Sequence, residues 1–219
     1  MNVIEVKSLS LTVGKTNILS NINMVCERGK TYGLIGRNGS GKTMLMKCIC
    51  GFVRPSEGSI VVSGKKIGLD CDFPESIGIL IETPGFIPYY SGIKNLKILA
   101  EFQAKIGIEE IRLSMKKVGL NPDLRQHVGK YSLGMRQRLG LAQAIMENPD
   151  LSILDEPMNG LDSEGVQRIR DLLKEERERG KTILIASHSM EDISCLCDLV
   201  YLMEDGKLKE TSVDHGKFQ

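Results

Sequence analysis

Gly36-Arg37-Asn38-Gly39-Ser40-Gly41-Lys42-Thr43 carries the spacing G-x-x-x-x-G-K-T, the pattern of a phosphate-binding loop. The apolar run Thr31-Tyr32-Gly33-Leu34-Ile35 precedes it, and Met44-Leu45-Met46-Lys47-Cys48-Ile49-Cys50 follows. Strand, glycine-rich turn and helix in that order let backbone N–H groups close around a di- or triphosphate. A Cβ would obstruct that approach, hence the glycines. The new helix adds its unpaired N–H groups and the positive end of its dipole. Lys42 is expected to reach the β- and γ-phosphates, and Thr43 to place its hydroxyl on Mg²⁺. The stretch predicts a site for a nucleoside triphosphate.

The 219 residues suit one large domain or one and a half small ones, and 41% hydrophobic content is enough for a substantial core. A net charge of +1 provides no basic field for nucleic acid. The mixed run Lys174-Glu175-Glu176-Arg177-Glu178-Arg179 alternates in sign and reads as a solvated helix face. No stretch approaches the roughly 18 apolar residues of a membrane helix. Met1-Asn2-Val3-Ile4-Glu5 lacks the basic-then-apolar order of a signal peptide. A soluble, cytoplasmic chain is expected. The cysteines are Cys26, Cys48, Cys50, Cys71, Cys195 and Cys197; Cys48/Cys50 and Cys195/Cys197 are two apart, unlike C-x-x-C sites, several of the six read as core thiols, and neither disulfide nor zinc is expected.

Working outward, residues 3–13 and 18–26 read as an antiparallel opening, with turns at Gly14-Lys15-Thr16-Asn17 and Glu27-Arg28-Gly29-Lys30. The wholly apolar strand at 31–35 reads as parallel and buried on both faces. Gly51 ends the first helix, and a short strand follows at 59–63. Ile77 to Ile81 is another strand, ending at Glu82-Thr83-Pro84-Gly85. From Ser91, an N-cap, helical spacing runs on and marks residues 91 to about 130 as a helical insertion. Ser132 caps a further helix to Met146. A helix from about Ser163 to Arg179 puts Val166, Ile169, Leu172 and Leu173 on one side, and Gly180 stops it. Thr182 to Ala186 is a buried strand. Leu199 to Met203 and Leu208 to Thr211 form a closing hairpin with no regulatory domain expected beyond it. Alternating strands and helices predict an α/β sheet with helices on both faces.

Leu151-Ser152-Ile153-Leu154-Asp155-Glu156 is an apolar strand ending in two acids, where open α/β sheets place their ligands. Asp155 is expected to hold Mg²⁺, and Glu156 to orient or deprotonate an attacking water.

Tyr131-Ser132-Leu133-Gly134-Met135-Arg136-Gln137-Arg138 resembles the signature helix of the ATP-binding cassette (ABC) ATPases, which begins L-S-G-G-Q-R-Q-R. Ser132, Gly134, Arg136, Gln137 and Arg138 match; Tyr131, Leu133 and Met135 depart. The resemblance spans nearly the whole chain in order: phosphate loop, Glu82 at the Q-loop position, signature, Walker B at Asp155, D-loop Asn159-Gly160-Leu161-Asp162, and His188 as switch histidine. It implies a P-loop NTPase fold of ABC type. The chain 1–219 would be a single nucleotide-binding domain, with a RecA-like core, an N-terminal antiparallel β subdomain and a helical subdomain at about 83–140. It further implies that Ser132, Leu133, Gly134 and Met135, with Asp162, meet ATP bound by a second ABC ATPase subunit, a homodimer being expected. His188 would contact the γ-phosphate or its attacking water.

Glutamate at Glu82 resembles the E-loop of ATPases serving lantibiotic-immunity and bacitracin-type exporters, and implies a role for Glu82 in catalysis and at Mg²⁺. Family members commonly stack adenine on an aromatic of the first hairpin; here Val13 takes that position, which implies weaker base discrimination. The resemblance implies an ATP-hydrolysing motor at the inner face of the membrane, exporting a peptide antibiotic or similar amphiphile through a separate integral membrane permease. Residues 83–130 would offer the permease its surface. The alternatives are a non-transport ABC ATPase, which would usually carry two cassettes or basic extensions, and a P-loop phosphotransferase, against which the signature and His188 argue.

Overall fold

A computed structural model describes residues 1–82 and 85–211 of the chain. All five residues of β3 (Thr31–Ile35) are buried, as a strand covered on both faces requires. It runs parallel to β8 (Thr182–Ala186) on one side and β9 (Leu199–Glu204) on the other. Beyond β8 the sheet continues in parallel with β7 (Leu151–Asp155) and β6 (Ile77–Leu80). β10 (Lys207–Thr211) closes the far edge antiparallel to β9, giving the order β10-β9-β3-β8-β7-β6.

Alternation along these strands divides their side chains between two cores. Leu34, Ile153 and Leu184 join β1 (Asn2–Val13), β2 (Thr16–Glu27), β4 (Glu57–Val62) and α1 (Lys42–Ile49) in the first. Those strands and the two-residue β5 (Lys65–Lys66) form a separate antiparallel sheet, ordered β2-β1-β4-β5. Ile35, Leu154, Ile183 and Ile185 face the second core, with α2 (Gly92–Gln103), α3 (Ile108–Lys117) and α4 (Leu133–Ile145). α5 (Ser163–Glu178) and α6 (Met190–Leu196) complete that side. The antiparallel opening, parallel centre and final hairpin stand where strand patterning puts them.

Several local expectations need adjustment. Ser91 is the N-cap residue of α2, but its side chain makes no capping bond. The buried Asn95 instead holds the preceding loop, accepting from Ile87 N–H (2.7 Å) and donating to the carbonyls of Ile87 and Ser91, each at 3.1 Å. Thr83 and Pro84, read as part of the turn after β6, lie outside the described residues. α6 has no apolar stripe long enough to read as a helix in sequence, yet Ser189 caps it.

The run Lys174–Arg179 is not wholly solvated. Glu176 is only 5% exposed, because it follows Ile169, Leu172 and Leu173 on the inward face of α5 at helical spacing. Lys181, itself buried, pairs with it, and Lys117 and Arg179 approach at 3.2 Å each. Cys26, Cys48, Cys50 and Cys197 are buried and all six thiols are free. Burial pushes Cys48 up to about 11 and Cys50 and Cys197 up to about 12, so these stay neutral.

Burial alone raises the Glu176 pKa, but its hydrogen bond to Lys181 and the charges of Lys181 and Lys117 outweigh that and hold it below the usual carboxylate range. A lowered folded pKa stabilises above the unfolded value and is lost as pH falls through the folded one. Glu176→Gln is therefore expected to cost roughly 3 kcal/mol at pH 7. In urea unfolding the gap to the parent should shrink as pH drops below the unfolded carboxylate value of about 4.3.

Candidate functional site

The phosphate loop leaves β3 with Gly36 at φ 149° and enters α1 through Gly41 at φ 111°. A Cβ on Gly36 would lie 2.2 Å from the Met203 carbonyl oxygen of β9, so the loop and β9 can touch only where no side chain intervenes. Gly41 is the N-cap residue of α1 and supplies no side-chain acceptor, so no cap competes for the first-turn N–H groups. Lys42 is buried, its Nζ donating to the carbonyls of Gly36 (2.7 Å) and Arg37 (3.1 Å). Ser40 Oγ is buried within the loop with no hydrogen-bond partner among the described residues. An orphaned hydroxyl beside a row of free N–H groups fits a phosphate oxygen.

Two clefts border the loop. One, of about 360 Å³, is lined by Ile18, Asn38, Gly39, Gly41, Lys42, Thr43, Met44, Asp155 and Glu156. The other, of about 750 Å³, runs from Gly36–Ser40 to Ser187, His188, Met190 and Leu202.

Thr43 and Asp155, 112 residues apart, meet here: Thr43 Oγ1 donates to Asp155 Oδ2 at 2.6 Å. A hydroxyl and a carboxylate are hard oxygen donors, and such a pair suits Mg²⁺, which takes few protein ligands beside phosphate and water. The next residue, Glu156, turns out of the strand with φ 48°, a costly conformation for a non-glycine residue. Three bonds hold it: its N–H donates to Ala186 O (2.9 Å), and its carbonyl accepts from Gln137 Nε2 of α4 (2.9 Å) and from Asn159 N–H (3.1 Å). Its Oε1 meets Nδ1 of His188 at 2.8 Å. The imidazole, 71% exposed, faces solvent.

Glu82 does not join Thr43 and Asp155. Its Oε1 is taken by Lys47 Nζ at 2.6 Å, and Lys47 stands one turn along α1 from Thr43. The lysine supplies the opposite charge on the helix face that Glu82 meets. Val13, at the hairpin tip and 53% exposed, lines neither cleft; Ile18 of β2 does. The hairpin residue at the loop is therefore reached by the return strand, a register detail that residue type alone does not reveal.

Of the signature residues, Ser132, Gly134, Met135 and Arg138 line a different cleft of about 300 Å³, with Gly119, Gly160, Leu161 and Asp162. Ser132 Oγ caps α4 by accepting from Met135 N–H at 3.2 Å, leaving its own proton free to donate. A Cβ on Gly134 would come within 2.6 Å of Gly160 O, so α4 starts against the D-loop only with glycine there. Leu133 covers Gly160 from the exposed side. Asp162 caps α5 and receives Arg138 Nη2 at 2.8 Å. Gln137 and Arg138 stand in the signature stretch, but their bonds to Glu156 and Asp162 show only in the structure; Lys47 and Ile18 carry no motif, and a residue at unremarkable spacing signals nothing until its neighbours are known.

The family described as ABC transporter matches residues 19–159. The chain is 45% identical over 210 residues to the uncharacterized ABC transporter ATP-binding protein YybJ of Bacillus subtilis (strain 168), covering 96% of both. It is 40% identical to the bacitracin transport ATP-binding protein BcrA of Enterococcus faecalis, over 95% of this chain and 68% of that one. The lantibiotic transport ATP-binding protein SrtF of Streptococcus pyogenes is 36% identical, with 94% and 89% covered. In fold, the chain resembles the dimeric, post-hydrolysis structure of the ATP-binding cassette MJ0796 bound to ADP and Pi. That match has a TM-score of 0.86 and 21% identity, and covers 96% of this chain and 98% of that one.

The chain belongs to the ABC transporter family. It is an ATP-binding, ATP-hydrolysing motor subunit of a transporter. Among the described residues, no helix is long and apolar enough to cross a membrane.

Gly36→Ala must push the loop off Met203. It is expected to destabilise the fold by about 2 kcal/mol and weaken ATP binding at least tenfold, about 1.4 kcal/mol. Thermal unfolding and equilibrium dialysis with ATP measure the two effects.

Proposed function

We propose that this ATPase powers export of a peptide antibiotic or similar amphiphilic compound through a separate integral membrane permease, working at the inner face of the cell membrane. The transport functions named for BcrA and SrtF support the substrate class. One observation supports a paired mechanism: the cleft at Ser132 and the clefts at the phosphate loop are separate within one chain. A second copy placed head to tail would bring Ser132–Met135, with their free hydroxyl and helix start, to the phosphates held by the first. The MJ0796 cassette was solved as a dimer, which supports the pairing of two copies.

In this reading Gly36–Thr43 bind the phosphates, with Lys42 Nζ leaving its two loop carbonyls for the β- and γ-oxygens. Thr43 and Asp155 hold Mg²⁺, which when bound neutralises charge on the phosphate oxygens. Glu156 takes the proton of the attacking water. His188, hydrogen-bonded through Nδ1 to Glu156 Oε1, keeps that carboxylate aimed and contacts the γ-phosphate or the water. Glu82, paired with Lys47 in this structure, would add its carboxylate on the metal side by leaving that lysine.

Glu156→Gln keeps the shape of the side chain and removes its basicity. Turnover is expected to fall by about 10²–10⁴, and the variant to elute as a dimer on a sizing column with Mg·ATP. Cells carrying it with the permease should lose resistance to a bacitracin-type peptide. A monomer at saturating Mg·ATP would refute the paired mechanism, and unchanged resistance would refute the export reading. Parent protein should also show a steeper Mg²⁺ dependence of ATP turnover than Glu82→Gln; coincident metal titrations would remove Glu82 from the metal side.

A further inference from the structure

Arg170, on α5, is 8% exposed and ends against the first turn of α6. Its Nε and Nη2 donate to the same oxygen of Asp192, Oδ1, at 2.8 and 2.5 Å, and its Nη1 donates to Glu191 Oε1 at 2.7 Å. Asp192 is itself 3% exposed. Its N–H donates to Ser189 Oγ at 3.3 Å, closing the N-cap of α6, and Ser189 N–H donates to Ser187 Oγ at 3.1 Å. His188 sits between those two serines, with its ring on Glu156. A chain of bonds thus runs from the guanidinium through Asp192 and the capping serine to the segment that carries the imidazole.

α6 has only seven residues, too few to hold its own shape without anchorage. A buried ion pair adds little stability beyond what apolar residues of the same volume would supply. What the guanidinium supplies that they would not is direction: a rigid planar fork reaches two acids at once and fixes the turn that bears them. Arg170 also holds the Glu191 carboxyl below its usual range, as a close hydrogen-bonded cation does.

We propose that Arg170 is a positioning residue for His188: by clamping Asp192 and Glu191 it sets the first turn of α6 and so places the imidazole on Glu156. This rests on the catalytic reading of His188 given above.

The test compares the full-length parent, Arg170→Lys, Arg170→Met, the pair Arg170→Met with Asp192→Leu, and His188→Ala. Each is measured for thermal unfolding, for kcat and KM with ATP, and for the imidazole nitrogen resonances at pH 7. The His188 signals are assigned by their loss in His188→Ala. Arg170→Met alone strands a buried carboxylate and is expected to unfold early, whereas the double variant leaves no unpaired buried charge and should melt near the parent. In that double variant kcat should fall about tenfold with KM within about twofold, an effect of misplacement rather than of binding. Its His188 Nδ1 resonance should lose the hydrogen-bonded shift. Arg170→Lys, which can reach only one acid well, should fall between. A stable double variant with parental kcat and unchanged His188 resonances would overturn the proposal. If His188→Ala itself turns over at the parental rate, the catalytic reading of His188 fails, and the resonances still decide whether Arg170 places the ring.

Discussion

Ala186 pairs with Leu34 of β3 on one side and with Asp155 of β7 on the other. That register sets the carboxyl ends of three parallel strands level with one another. The phosphate loop after Ile35, the acids at the end of β7 and the Ser187-His188 segment after β8 therefore leave the sheet along one edge. A slip of one residue would turn each strand's side chains to the opposite face. Thr43 would then lose Asp155, and Glu156 would lose the Ala186 carbonyl that supports its unusual φ.

The two sides of the molecule use different physics to reach that edge. On the α1 side, glycine removes bulk so that backbone can approach backbone, as at Gly36 against Met203. On the other side, polar side chains bridge longer gaps. Gln137 donates to the carbonyls of both Glu156 and Pro157, and Arg138 reaches Asp162. The helix that begins at Ser132 is thereby tied to the exit of the acid-bearing strand, even though Ser132 faces another cleft. Position at Glu156 and position at the signature are parts of one hydrogen-bonded frame.

Charge is also placed at a distance in sequence. Lys47 and Glu82 are 35 residues apart, Arg170 and Asp192 are 22 apart, and Lys117 and Glu176 are 59 apart. Each joins a helix to a neighbouring loop or helix, where the parallel sheet cannot impose geometry. The sheet sets the strand ends, and these pairs settle what surrounds them.

Some of this was legible residue by residue. The phosphate loop reads directly, because glycine, lysine and threonine act on a ligand through spacing within a single turn. Strand runs such as Leu151–Asp155 and Thr182–Ala186 also read directly, since burial on both faces leaves an unbroken apolar pattern. So did the capping by Ser132, a bond that reaches only three residues. Tertiary structure alone decided that Glu82 faces Lys47, that Ile18 rather than Val13 borders the loop, that Glu176 is buried, and that Arg170 grips α6. Those outcomes depend on how helices turn and how hairpin strands register against a finished sheet. Chain-local preference sets which elements form; contacts between elements far apart in the chain set which of their side chains meet.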